Sequence, residues 1–147
     1  MTSAPTLTGQ DIGQAERATR AVLDRLLHRT GTSFYQWVVL NRLADGTPDE
    51  AQVAADMVHG LKITSDTATT AVREVLDAGL AARRADGSLA LTAAGDARFR
   101  AIRDGIAEIS RRLYSGIPED DLAAAKRVLT TVTTRANDEL SGSARGA

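Results

Sequence analysis

The residues of this chain whose types and spacing could do chemistry are cations and hydroxyls, not nucleophile–base pairs. Lys62, Arg73, Arg83 and Arg84 fall close together, with Ser65, Thr67, Thr69 and Thr70 between the first two. A guanidinium fork pairs with guanine or with a phosphate. Two adjacent cations most simply meet phosphate, and short hydroxyls bond to base edges or phosphate oxygens alike. The chemistry available is therefore recognition of nucleic acid. Each residue also has a structural use. Arg73 could pair with Asp77 or Glu74, the hydroxyls and Asp66 could cap or be solvated, and the wing arginines and Lys62 could be solvated charge. A second set is His28, Tyr35 and Trp37. Buried Tyr and Trp need a partner for their polar ends, so lining a ligand pocket competes with core packing for both. His28, near the end of the first helix, could line the same pocket or sit at the negative end of the helix dipole. His59, just before Gly60, reads as solvent-facing.

Composition bounds the classes. There is no G-x-S-x-G, phosphate loop, G-x-G-x-x-G or H-E-x-x-H, and Glu119-Asp120-Asp121 reads as a helix start, so no enzyme is expected. The absence of cysteine removes disulfides, thiolate zinc sites and thiol redox sensing. Two histidines far apart give no metal-ligand spacing, so neither metal nor cofactor is expected. The net charge of −1 counts against strong DNA binding, though a basic patch can sit on an acidic body. At 147 residues and 43% hydrophobic, the chain reads as a single domain, 1–147, with its own core. Aromatics at 3% make that core Ala/Leu/Val/Ile helix packing. No apolar run nears the roughly 18 residues of a membrane span and no signal peptide is evident; the expected address is the cytoplasm.

The elements that must position these residues follow from periodicity. Ala68, Ala71, Val72, Val75 and Leu76 form one stripe of a short helix, with Asp66, Thr70, Arg73, Glu74 and Asp77 opposite. Thr64 or Ser65 caps its start and Gly79 its end. Asp86-Gly87 between two short apolar runs, 80–82 and 89–91, predicts a β-hairpin. Upstream, residues 10–29 have helical spacing (Ile12, Ala15, Thr19, Val22, Leu23, Leu26, Leu27), broken by Gly31. Ser33 caps a nearly all-apolar helix over 34–43. Thr47-Pro48 supplies a cap and a first-turn proline to a helix with Ala54, Met57, Val58 and Leu61 inward. Downstream, Thr92 caps a long helix to about Ser115 with Phe99, Ile102, Ile106, Ile109 and Leu113 on a near-heptad stripe. Pro118 opens a last one with Leu122, Ala125, Leu129, Val132, Ala136 and Leu140. Residues 1–9 read as a loose arm and 141–147 as a frayed tail. The stripes at the chain ends suggest a subunit interface.

The order helix–helix–helix-turn-helix–hairpin–two long helices resembles the MarR family of bacterial transcriptional regulators over about residues 8–140. Its most specific carriers are Gly79-Leu80 before the hairpin and Leu91-Thr92-x-x-Gly95 after it; Asp56-Met57-Val58-x-x-Leu61 is similar to the family's E-L-A-x-x-L. The resemblance implies a mainly α fold: a winged helix-turn-helix over about 47–92 with a small β-hairpin wing, flanked by dimerisation helices over about 10–29 and 92–140. It implies a homodimer on a pseudo-palindromic double-stranded DNA operator, with half-sites ~34 Å apart. It also implies release by a small aromatic or anionic effector bound between the dimer helices and the winged module. Two departures stand out. The wing is shortened to residues 84–88, where Asp86 lacks the family's following arginine. Thr70 stands where the recognition helix usually has arginine. The sequence thus supports a ligand-responsive, DNA-binding repressor. The alternative is a winged-helix dimer that contacts protein, with DNA binding weak or lost.

Overall fold

The structure is a computed structural model that describes residues 6–145. It comprises two compact units, one reaching to Glu108 and one beginning at Ile109. The first contains α1 (Gly9–Arg29), α2 (Phe34–Ala44), α3 (Glu50–Leu61), α4 (Ser65–Asp77), β1 (Ala81–Arg83), β2 (Leu89–Leu91) and most of α5 (Ala93–Tyr114). The second contains the end of α5 and α6 (Glu119–Arg145).

Local chemistry sets the helix starts. Thr8 with Asp11, Ser33 with Gln36 and Asp49 with Gln52 each form a reciprocal box in which side chain and backbone satisfy one another's first-turn groups. The third box corrects a sequence expectation. Asp49, not Thr47, caps α3, and Pro48 precedes the helix. The Pro48 carbonyl accepts from Leu89 N–H at 2.8 Å, and Asp49 bridges Ser88. That stretch of backbone is committed to the hairpin, so the helix begins later. The inward face of α3 is centred on fully buried Val53 and on Met57, with Ala54, Val58 and Leu61 only partly covered. Residues 1–5 of the expected arm lie outside the described residues; Thr8 and Gly9 belong to the start of α1.

Between α4 and the wing, the Leu80 N–H bonds to the Val75 carbonyl and the Gly79 N–H to the Leu76 carbonyl, closing the helix with Gly79 at φ +75°. A side chain there would pay for left-handed backbone; glycine does not. The hairpin pairs Ala81 with Leu91, Ala82 with Ala90 and Arg83 with Leu89. Thr92 then joins wing and helix. Its hydroxyl donates to the Gly79 carbonyl at 2.6 Å and accepts from Gly95 N–H at 3.1 Å, while its N–H reaches the Leu80 carbonyl. Gly95 lies so close to Leu80 that a Cβ would overlap the Leu80 carbonyl oxygen. The Gly-Leu and Leu-Thr-x-x-Gly pieces are thus two halves of one close crossing.

One apolar cluster fills the first unit: Leu27 of α1, Trp37, Val39, Leu40 and Leu43 of α2, Val53 and Met57 of α3, four residues of α4, and Leu80, Ala81, Leu89 and Ile102. The α5 stripe divides in two. Phe99, Ile102 and Ile106 pack on this cluster within the chain, which corrects the expectation that the whole stripe serves an interface. Leu113 is exposed.

In the second unit, Gly116 at φ +80° turns the chain and the Pro118 carbonyl receives the N–H groups of Asp121 and Leu122. Helix α6 runs through Arg145, so 141–145 are helical and not a frayed tail; residues 146–147 lie outside the described residues. Its apolar residues are uncovered: Leu129 is 44% exposed, Val132 45% and Leu140 59%. No helix among the described residues is long and apolar enough to cross a membrane.

Candidate nucleic-acid interface

Helix α4 forms because Thr64 caps it, accepting Thr67 N–H at 3.2 Å, and because its alanine–valine stripe is buried: Ala68, Ala71, Val72 and Val75 are all inside. That burial fixes the opposite face outward. Ser65, Asp66, Thr70, Arg73, Glu74 and Asp77 are exposed, and Thr67 and Thr69 lie half-buried at its edges. Among the described residues Arg73 makes no ion pair, so neither Asp77 nor Glu74 claims it; Glu74 instead accepts from Gln36 Nε2 at 2.6 Å. The Thr67 hydroxyl lies 2.8 Å from that of Thr64 and belongs to the cap.

The other cations differ. Lys62 takes left-handed backbone at φ +57°, terminates α3, and its Nζ donates to the His59 carbonyl at 2.6 Å; the ammonium serves a helix end where carbonyls point outward. Arg83 is tied to Glu50, at the start of α3. This bond, the Leu89–Pro48 hydrogen bond and the Asp49–Ser88 bridge fasten the wing to the head of α3. Arg84 lies exposed in the turn, without an ion pair among the described residues. Asp86 shapes that turn: its Oδ1 accepts from the Ser88 hydroxyl at 2.6 Å and from Ser88 N–H at 2.9 Å. Those bonds hold its carboxyl below the usual carboxylate range, the Ser88 hydroxyl contributing most. Glu50 and Asp86 were not singled out from the sequence as site residues. Glu50 lies far from Arg83 along the chain, but Asp86-x-Ser88 is a local turn pattern that could have been read.

The aromatic set is dispersed. His28 is exposed at the end of α1, where its carbonyl receives Gly31 N–H. Tyr35 lines an open groove of about 430 Å³ beside the outward face of α4, with Ser33, Asp66, Thr67, Thr70 and Glu74. Trp37 is buried and stacks on Phe99, centroids 5.6 Å apart at 13°. Phe34 sits under the Arg20 guanidinium, 3.4 Å from the ring centroid. A larger groove of about 630 Å³ has Val53, Met57 and Phe99 on its wall and Arg42, Asp56 and Arg103 around it. Arg42 and Asp56 are paired there at 2.9 Å. The sequence reading missed this groove, although Phe99 and Arg103 stand one turn apart on α5. Among the described residues no His, Asp and Glu side chains cluster in a way that could hold a metal ion.

An outward polar helix, preceded by a capped helix and followed by a two-stranded wing, defines a winged helix-turn-helix. No protein-family model matches the chain, nor does any curated protein sequence. Solved structures match closely in fold. The transcriptional regulator PA3341 is 25% identical with a TM-score of 0.75, covering 88% of this chain and 98% of that one. MepR from S. aureus, solved with DNA, is 19% identical with a TM-score of 0.72, covering 88% and 96%. The MarR-family protein Rv2887 of Mycobacterium tuberculosis, solved with p-aminosalicylic acid, is 20% identical with a TM-score of 0.70, covering 86% and 98%. More narrowly, then, the fold is MarR-like.

Proposed function

We propose that this chain is a DNA-binding transcriptional regulator, a homodimeric repressor whose hold on a pseudo-palindromic operator responds to a small ligand. The observation that carries this reading is the outward face of α4, where hydroxyls and Arg73, which makes no ion pair among the described residues, are turned outward by a buried opposite face. A helix so displayed suits the major groove, and its hydroxyls and guanidinium suit base edges and phosphates. The dimer reading is supported by the uncovered apolar residues of α6 and by the open groove that Tyr114, Leu122, Ala125 and Leu129 line in the second unit. Contiguous apolar surface of this kind marks an interaction site.

The effector reading is supported by the larger groove, whose apolar wall suits a small aromatic molecule. Its guanidiniums, Arg42 paired with Asp56 and Arg103 with Asp104, would exchange those carboxylates for the anionic group of a ligand. Trp37, stacked behind Phe99, would report binding there. The mechanism would be population shift: the ligand favours a spacing of recognition helices that misses successive major grooves. A gel shift against the DNA beside its own gene, repeated with aromatic acids, tests this reading. A saturable shift released by one of the acids is the expected result.

A second reading is favoured by one observation. Arg83 is bound to Glu50, which removes a cation from a short wing in a chain of net charge −1. In that reading the module contacts protein, and DNA binding is weak or lost. No shift at low salt, where counterion release most favours binding, would select it.

A further inference from the structure

The outward face of α4 carries acid where a DNA reader must approach a polyanion. Asp66 is the second residue of the helix and is exposed. It does not cap; Thr64 does. Among the described residues the Asp66 carboxylate makes no hydrogen bond or ion pair, whereas that of Glu74, on the same face, accepts from Gln36. Residues at the start of a recognition helix are those that reach base edges. A carboxylate there is repelled by phosphate and can only accept hydrogen bonds. The major groove offers two amine donors. Adenine presents N6 beside the N7 acceptor, which would face the second carboxylate oxygen, while cytosine presents N4 as its only polar group.

Resting on the DNA-binding reading above, we propose that Asp66 is a specificity-determining residue that selects a cytosine in each operator half-site by accepting a hydrogen bond from its N4 amine. The side chain then adds discrimination more than affinity. On guanine or thymine it is desolvated without a donor, which costs more than the bond gains, and on adenine the N7 acceptor faces its second oxygen. Arg73, seven residues on and so about 10 Å along the same helix, leaves the two groups to different parts of the site.

The test is selection from a randomised duplex library by the intact protein, its Asp66→Ala and Asp66→Asn variants, and Thr64→Ala. The last weakens the helix start and frees the Thr67 hydroxyl but leaves Asp66 in place. Thermal melting confirms that each is folded. The wild type should enrich one cytosine per half-site by roughly tenfold over other bases. Asp66→Ala should lose that preference while keeping the rest of the site, Asp66→Asn should move toward adenine, and Thr64→Ala should keep the cytosine. On the selected site, exchanging that C·G pair for T·A should weaken the wild type roughly tenfold but Asp66→Ala less than about twofold. A wild-type site without an enriched cytosine, a preference that survives in Asp66→Ala, or its loss in Thr64→Ala as well, would overturn the inference and leave DNA binding intact. A wild type that retains no duplex at low salt overturns the DNA-binding reading and this inference together.

Discussion

A methyl group at Gly95 would overlap the Leu80 carbonyl oxygen, which is backbone and cannot swing aside. Gly95→Ala should therefore cost about 3 kcal/mol or more, seen as a large fall in melting temperature; a change within about 0.5 kcal/mol, usual for a free surface site, would contradict the close crossing. Glu50 supports the opposite kind of prediction. It holds Arg83 at the wing base, and both side chains are partly solvated, so the pair contributes little to stability, about 0–1 kcal/mol. Glu50→Gln should leave melting nearly unchanged but free a cation for phosphate. DNA affinity should rise and the salt slope steepen by about 1 per half-site. An unchanged slope would mean that Arg83 stays out of reach of the duplex.

At the scale of elements, the wing turn depends on an ionised Asp86 that accepts two bonds from Ser88. Its carboxyl is held below its ordinary range when folded. The contribution is therefore complete above the unfolded pKa and is lost as pH falls through the folded one. Protection of the Ser88 amide, its exchange measured against that of the unfolded chain at the same pH, should hold near neutrality and be lost only in the acid range below that of ordinary carboxylates. Loss of protection around pH 6–7, where histidines titrate, would place the control elsewhere. These elements also show what the sequence makes legible. Helix α4, its cap and its Gly79 stop are set by residues within a few positions of one another, so the stop is legible and the cap narrows to Thr64 or Ser65, of which the structure has Thr64. The start of α3 was misread because the Pro48 carbonyl and Asp49 are bound by the wing, a partner far along the chain. The Arg83–Glu50 pair, the Trp37–Phe99 stack and the larger groove are likewise made by distant segments, and no local spacing encodes them. The α5 stripe was read correctly as apolar, but periodicity does not say whether a stripe meets its own chain, as Phe99 and Ile102 do, or remains exposed, as Leu113 does.

At the scale of the whole molecule, Leu129, Val132 and Leu140 of α6 are exposed, and the proposed dimer would bury them. Sedimentation at low micromolar concentration should give twice the mass of the chain. Leu129→Glu, tolerable on an exposed helix but costly inside an apolar interface, should give a folded species of half that mass; an unchanged dimer would move the interface off α6. In the proposed function α4 reads DNA. Fluorescence anisotropy of the duplex beside its own gene, titrated with wild type and with Arg73→Ala at about 50 mM salt and again at about 200 mM, tests this most directly. The expected result is a saturable curve at two chains per duplex, weakened at the higher salt and weakened by roughly tenfold or more in Arg73→Ala. Equal binding by the two proteins, or none by either at the lower salt, would contradict it.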